Sequence, residues 1–391
     1  MPDMSWVLIT GEYPPQTGGV SDYTRGLAIA LAATGDAVTV FAPRCTGAPV
    51  FDEGVQVRRL PDWFGSRGRA MLTEALDAMP QPRVAVLQYV AQSFGLYGCN
   101  IAFTSWLRSL RRYPLWAMFH EVTVTVRPST ALKYRIQAVA TRAMAMNVIA
   151  ASDAAFVSTP MWEPLLRQLS AHVPDVTSVP VPSNVPLIAD PVARERLSDR
   201  FRRDGVNVLF GHFGRFRDAD TLAMLGATLP LLLAQVPDSA AVLIGAGSDI
   251  FRAELCERIP ALRDRLIASG EISADAVAAH IAACDLMLQP YEDGVTTRRS
   301  STVAALALGV PVVTTDGVTT EAMWRASDAV ALVRNGDAAG FVASAADLVR
   351  DEERRAEMSV RGRILYHNVF AIDNTVDALR ARAMEERCIA S

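Results

Sequence analysis

Short runs of consecutive apolar residues alternate with stretches of helical periodicity along the whole 391-residue chain. One series of such runs lies at 6–10, 37–42, 84–90, 115–120, 154–158 and 177–181. A second lies at 208–212, 241–245, 266–269, 285–289, 311–315 and 329–333. The runs are continuous rather than alternating, which suits parallel strands covered on both faces. Helical stretches such as 21–34 separate them, and Gly35 is placed to stop that one. Strand–helix alternation predicts two doubly wound α/β sheets. The segment 179–191 carries Pro180, Pro182, Pro186 and Pro191 and reads as an extended linker. The stretch from 342 to 386 is helical in pattern. The expected organisation is therefore a first α/β domain over 1–182, a linker over 183–197, a second α/β domain over 198–365 and C-terminal helices over 366–391.

Composition narrows the class. Half of the residues are apolar and a fifth are charged, so each half can bury a core. A net charge of −4 gives no basic field, and nucleic acid is not an expected partner. Lys133 is the sole lysine, and the remaining positive charge is arginine. Arginine-biased codons account for this, as does selection for bidentate anion contacts. The five cysteines show no C-x-x-C and no histidine at zinc-like spacing, which points to a reducing compartment and no metal site. No basic segment precedes the first apolar run, so no signal peptide is expected. The apolar window 222–234 is broken by Gly226 and Pro230 and is too short to span a bilayer. A cytoplasmic protein is expected.

Candidate chemistry collects where apolar runs end, because open α/β sheets bind ligands at their strand carboxyl ends. After the first run comes Thr10-Gly11-Glu12-Tyr13-Pro14-Pro15-Gln16-Thr17-Gly18-Gly19-Val20-Ser21-Asp22-Tyr23. Gly18 and Gly19 allow backbone N–H groups to approach an anion at the start of a helix. A plain turn capped by Ser21 or Asp22 is the other reading. His120-Glu121 closes the fourth run, as a site pair or a solvent-facing one. Gly214-Arg215 follows the first run of the second series, where arginine can grip a phosphate bidentately. Asp218-Ala219-Asp220 formally matches a metal-binding D-x-D, but acidic residues also favour helix N-termini, and a helix start is expected. Gly245-Ala246-Gly247 lacks the third glycine of a dinucleotide fingerprint, since Ile250 holds that place.

The string Gln289-Pro290-Tyr291-Glu292-Asp293-Gly294-Val295-Thr296-Thr297-Arg298-Arg299-Ser300-Ser301-Thr302 is the most informative. Two arginines and three hydroxyls meet at a helix N-terminus, where charge, dipole and free N–H donors favour an anion. Arginine there is unfavourable without one; two solvated arginines beside a capped helix are the alternative. Glu321, just past another strand end, offers a carboxylate to ribose or sugar hydroxyls, or serves only in a first helical turn.

Taken in order and spacing, these segments resemble the retaining glycosyltransferases of the GT-B fold, family 4, over nearly the whole chain. The markers are the E-Y-P-P-x-x-G-G-V loop at 12–20, His120-Glu121, Gly214-Arg215, the G-x-G at 245–247, A-x-G-V-P-V-V at 307–313 and the pattern around Phe370. The resemblance implies two Rossmann-like domains with a cleft between them, and a C-terminal tail crossing back to the first domain. It implies an acceptor domain first and a nucleotide-sugar domain second, with no metal or cofactor beyond the nucleoside-diphosphate sugar co-substrate. His120, Arg215 and Arg298 would be catalytic. The donor would meet Gly18, Gly19, Gly214, Arg215, Gly247, Glu292, Asp293, Arg298, Arg299, Ser300, Ser301, Thr302 and Glu321; Tyr13, Asp22 and Glu121 would lie on the acceptor side.

Two departures stand out. The family's lysine after the G-R arginine is replaced by Asp220-Thr221, and its E-x7-E pair falls on Thr296 and Ala304. The loop 293–299 is similar instead to a D-G-V-S/T-S/T-R-R variant, in which Arg298 and Arg299 would supply the missing lysine's charge. The expected function is metal-independent, retaining transfer from a nucleoside-diphosphate sugar. A sugar-nucleotide epimerase and a non-catalytic sugar-nucleotide-binding protein are the rivals. The lack of G-x-G-x-x-G disfavours an NAD enzyme, and the lack of G-x-x-x-x-G-K-[ST] excludes a P-loop kinase. Finally, Arg108, Arg111, Arg112, Arg127, Lys133, Arg135 and Arg142 face a single acid, Glu121, over 101–150. Leu107, Leu110, Trp116, Leu132, Tyr134, Ile136 and Val139 interleave them. This is a basic amphipathic pattern for an anionic membrane surface and a lipid-linked acceptor, or an ordinary helix pair with solvated arginines.

Overall fold

A computed structural model describes residues 4–47, 51–123, 132–187, 190–202 and 205–390. It divides into two units, Met1–Pro180 with Ile372–Ser391, and Val181–Ala371. In the first unit the strands are β1 (Ser5–Thr10), β2 (Ala37–Pro43), β3 (Phe51–Asp52), β4 (Val55–Leu60), β5 (Arg83–Tyr89), β6 (Leu115–Phe119), β7 (Ala154–Val157) and β8 (Val176–Ser178). They form one sheet in the order β3-β4-β2-β1-β5-β6-β7-β8, parallel except for the β3–β4 pair. The second unit holds β9 (Val208–Phe213), β10 (Ser239–Ile244), β11 (Leu266–Ala268), β12 (Leu286–Gln289), β13 (Val312–Asp316) and β14 (Ala331–Arg334). Their order is β11-β10-β9-β12-β13-β14, all parallel. Each sheet reverses its winding at its first strand, β1 or β9, and the carboxyl ends beside such a reversal are where open α/β sheets bind ligands. This is the GT-B architecture.

Every apolar run contains a strand, because the central strands bury both faces. Trp6, Val7, Leu8 and Ile9 of β1 are all fully buried. The short β3–β4 hairpin has no counterpart among those runs. Val55–Leu60 reads V-Q-V-R-R-L, with buried and half-buried positions, as a strand near a sheet edge should. The expected linker also differs in part, since Pro191–Phe201 is a helix with Asp190 as its cap. Its Phe201 is buried in the second unit's core.

The chain leaves the second unit through a π turn at Tyr366–Phe370, and the helix Ile372–Ala390 belongs to the first. Arg380 pairs with the buried Asp36, which also accepts from Trp6 Nε1 at 2.9 Å. Trp116 Nε1 donates to Glu386 at 3.0 Å. Among the described residues no helix is long and apolar enough to cross a membrane.

Candidate active site

The glycine loop after β1 leads into the helix Gly19–Ala33. A helix N-terminus leaves several N–H groups without intrahelical partners. Here Glu12 fills part of that need: its Oε1 accepts from Val20 N at 3.1 Å and from Ser21 N at 3.0 Å. Gly18 makes room for this, since a Cβ there would lie 2.4 Å from Glu12 Oε1. A Cβ on Gly19 would meet nothing within 4 Å, so Gly19 is the member of the pair that faces open space. The helix cap is thus neither Ser21 nor Asp22 but a carboxylate from the loop itself. Asp22 is exposed. Tyr13, expected on the acceptor side, is fully buried. Its hydroxyl donates to Asp52 at 3.0 Å and its ring carries Arg59 at 5.6 Å, while Arg25 also grips Asp52 at 2.6 Å. A residue so enclosed cannot touch an acceptor; it ties the loop to the β3–β4 hairpin.

His120 ends β6 and is 7% exposed. Its Nε2 lies 2.8 Å from Gln88 Oε1, at the end of the neighbouring β5. Its ring meets Tyr23 edge-on at 4.7 Å. Its carbonyl accepts from Trp162 Nε1 at 3.2 Å and Ser158 Oγ at 3.5 Å. Two elements therefore touch the ring, and a third side holds the backbone carbonyl. Glu121 follows, half-buried.

In the second unit Gly214 and the 245–247 turn serve each other. Gly214 N donates to Ile244 O at 3.1 Å, and Phe216 N to Ala246 O at 3.1 Å. Gly245 has φ +119, and a Cβ there would sit 2.3 Å from Gly214 O. Gly247 has φ +86 and lies against Phe216. Glycine is required at both places for loop packing. Arg215 is exposed and makes no ion pair among the described residues. Asp218 caps the helix Ala219–Gln235 through Thr221 N at 3.1 Å. Nevertheless Asp218, Asp220 and Glu292, all exposed, each bring a carboxylate oxygen within 4.8 Å of the others. These are the residues that could hold a cation.

The loop after β12 is tightly braced. Gly294, at φ +101, backs onto Gly317 N and Thr320. Thr319 donates through N and Oγ1 to Asp293 O, at 3.0 and 2.8 Å. Glu321 accepts from Thr297 N, Thr297 Oγ1 and Trp324 Nε1, each at 2.8 Å. Its carboxylate fastens the loop. Arg299 donates to Asp293 at 2.6 Å and lies over the Tyr291 ring at 4.4 Å. The Tyr291 hydroxyl sits 2.8 Å from both Ser301 and Thr302. Arg298, Arg299 and Ser300 are half-buried at the start of the helix Ser300–Leu308. Strand ends thus gather Gly214, Arg215, Gly247, Glu292, Asp293, Arg298–Thr302 and Glu321 in the second unit. They gather Gly18, Gly19, Asp22, His120 and Glu121 in the first.

Residues outside the expected set also stand here. Gln88, one residue before the end of β5, and Gln289, the last residue of β12, are fully buried. Among the described residues, Gln88 Nε2 and both amide atoms of Gln289 have no hydrogen-bond partner. His212, on β9, is buried; its Nδ1 lies 2.7 Å from Leu288 O, and burial pushes its pKa down to about 4. A polar residue closing an apolar run was the signal that singled out His120; it marks Gln289 as well, whereas Gln88 lies inside its run, before Tyr89 and Val90.

The basic stretch divides. Leu107, Leu110 and Trp116 are core residues. By contrast, Leu132, Tyr134, Ile136 and Val139 of the helix Leu132–Ala151 are 70%, 46%, 59% and 70% exposed, beside exposed Lys133 and Arg135. Arg112 pairs with Asp77, and Arg127 lies outside the described residues.

Residues 207–351 match the family described as Glycosyl transferases group 1. The chain is 26% identical over 387 residues to the GDP-mannose-dependent alpha-(1-6)-phosphatidylinositol monomannoside mannosyltransferase of Mycolicibacterium smegmatis, with 94% of each covered. It is 26% identical over 351 residues to the phosphatidyl-myo-inositol mannosyltransferase of the same organism, covering 87% of this chain and 83% of the relative. Sucrose-phosphate synthase from Thermosynechococcus elongatus has the same fold, with a TM-score of 0.71 at 19% identity over 99% of this chain and 100% of that one.

Proposed function

We propose that this chain, a glycosyltransferase of the GT-B fold with a group 1 transferase domain at residues 207–351, moves a hexosyl group from a nucleoside-diphosphate sugar to a glycan or lipid-linked hydroxyl. The transfer proceeds with retention and without a bound metal. The observation that carries this reading is the braced loop after β12, which sets Arg298 and Arg299 at the N-terminus of Ser300–Leu308. As the bond from the anomeric carbon to the diphosphate breaks, negative charge grows on the leaving oxygens. Arg215, Arg298, Arg299 and the helix N–H groups stabilise that charge without first having to reorganise. Glu292 and Asp293 stand beside them for sugar hydroxyls. Glu321, whose oxygens already take three donors, is a positioning residue for this loop rather than a ribose ligand.

In the first unit His120 attends the transferred sugar, with Asp22, Glu121 and the open side of Gly19 around it. The relative named as GDP-mannose-dependent makes GDP-mannose the first donor to try. The exposed apolar and basic residues at 132–139 favour a peripheral contact with an anionic membrane that would carry a lipid-linked acceptor.

A thermal-shift screen against GDP-mannose, UDP-glucose and ADP-glucose tests the donor, because a ligand of the folded state raises the midpoint. No shift with any nucleoside diphosphate would remove the reading. Product analysis without acceptor separates transfer from epimerisation, and the anomeric configuration of the product tests retention. Liposome flotation tests the membrane contact, which should fade with salt and when Lys133 and Arg135 become Glu.

A further inference from the structure

The ring of His120, just after β6, is held by two groups that have no part in the reading above. Gln88 approaches Nε2 from β5 with its carbonyl oxygen, at 2.8 Å. Tyr23, on the first helix, packs its ring edge-on at 4.7 Å. The Tyr23 hydroxyl donates to Met118 Sδ at 3.9 Å, and the buried Thr375 side chain lies beside it where the C-terminal helix packs on the first helix. Gln88, Tyr23 and Thr375 are 0%, 5% and 2% exposed, so none of these contacts is shared with bulk water. Thr375 sits in the first turn of Ile372–Ala390, immediately after the chain enters the first unit from the second.

We propose that Gln88, Tyr23 and Thr375 are positioning residues for His120. Gln88 fixes which ring nitrogen carries the proton, and the C-terminal helix fixes the plane of the ring through Tyr23. The proposal rests on the reading that His120 attends the transferred sugar. An oxygen facing Nε2 accepts a proton from it, which selects the Nε2–H form of the neutral ring. Such a bond also forbids rotation about the Cβ–Cγ bond, and the edge contact with Tyr23 blocks the remaining swing. Small misplacements of a reacting group are costly to rate, so a link of this kind acts on turnover more than on binding.

The test uses the full chain with 15N-labelled histidine, the signals of its five histidines being assigned through His120→Asn. The unliganded wild type should show His120 as a single tautomer protonated on Nε2. Gln88→Leu should give a mixture of tautomers, and Gln88→Glu, which keeps an accepting oxygen, should restore one. Release of nucleoside diphosphate from the best of GDP-mannose, UDP-glucose and ADP-glucose supplies the second readout. Thr375→Val and Tyr23→Phe should each lower kcat by about tenfold with KM for the donor little changed. Their melting temperatures should stay near that of the wild type.

A wild-type ring protonated on Nδ1 overturns the role of Gln88, as does an unchanged tautomer in Gln88→Leu. Wild-type kcat in both Thr375→Val and Tyr23→Phe overturns the role of the C-terminal helix. If His120→Ala turns over the donor at the wild-type rate while the tautomer series behaves as expected, the functional reading of His120 is what fails.

Discussion

The two sheets present the same four strands to their crevices, β2-β1-β5-β6 in one unit and β10-β9-β12-β13 in the other. Their contents have separated. In the first unit the glycine loop supplies its own anion: Glu12 occupies two N–H groups of the first helix. The candidate residues there are two acids and a histidine, Asp22, Glu121 and His120, while the cation on the loop, Arg59, is taken up by the Tyr13 and Pro14 carbonyls and the Tyr13 ring. In the second unit the corresponding loops supply cations, with Arg215 exposed and Arg298 and Arg299 at a helix start. Each unit also carries a buried glutamine at or next to the end of the strand beside its first strand. Gln88 has His120 as a partner, whereas Gln289 has none among the described residues. The winding of a sheet decides where a site lies, and the loops decide its charge. On the proposed reading, the first unit serves the sugar and its acceptor and the second the diphosphate.

That division can be broken most forcefully by removing the cations. Arg298→Ala combined with Arg299→Ala should weaken GDP or UDP binding tens-fold or more in calorimetry, since charge-assisted hydrogen bonds contribute roughly 1.5–3 kcal/mol each. Because Arg299 is already paired with Asp293, its share should be the smaller. Asp22→Ala with Glu121→Ala should leave nucleotide affinity unchanged. Equal losses from both double variants would erase the contrast.

The buried histidines come next. His212 titrates at about 4 in the folded chain because burial disfavours its charged form. Unfolded, it binds a proton near pH 6.5, so between those values the unfolded state holds more protons and stability rises with pH. The contribution is complete above roughly pH 6.5 and is lost as pH falls toward 4, to the extent of up to about 3 kcal/mol. Chemical denaturation across that window should show the slope, and His212→Asn should flatten it.

The glutamines should respond with opposite signs. Gln289→Leu removes a buried amide that has no partner among the described residues and should stabilise the protein, while Gln88→Leu removes a hydrogen bond to His120 and should destabilise it, each by about 1–3 kcal/mol. Urea midpoints give both numbers. A loss of stability in Gln289→Leu would mean that the amide has a partner after all.

A finer contrast lies within one glycine pair. Gly18→Ala should displace the Glu12 carboxylate and lower stability by about 1 kcal/mol, the usual value of a helix cap, whereas Gly19→Ala should be close to neutral. The smallest expected effect is that of chelation. Donor turnover should be the same with EDTA, and loss restored by magnesium or manganese would promote Asp218, Asp220 and Glu292 to ligands.

Much of this was legible in the chain. Continuous apolar runs announced central parallel strands, and the order of loop motifs pointed to a GT-B transferase, which the group 1 match supports from outside the chain. The candidate residues sit at strand ends because winding puts them there. What stayed hidden had one physical cause: a short polar side chain has the same letter whether it faces water, a ligand or its neighbour.

By itself, then, the sequence determined the two sheets and the chemistry of their rims, because burial on both faces and glycine at positive φ leave one-dimensional marks. Tertiary structure alone decided who is partnered with whom. It turned Glu12 inward to cap a helix, Glu321 back to fasten a loop, and Tyr13 into the core beside Asp52. It also brought Thr375 to Tyr23 across more than three hundred residues of chain. Those contacts depend on distances that only packing sets, since a hydrogen bond forms or fails within a few tenths of an ångström.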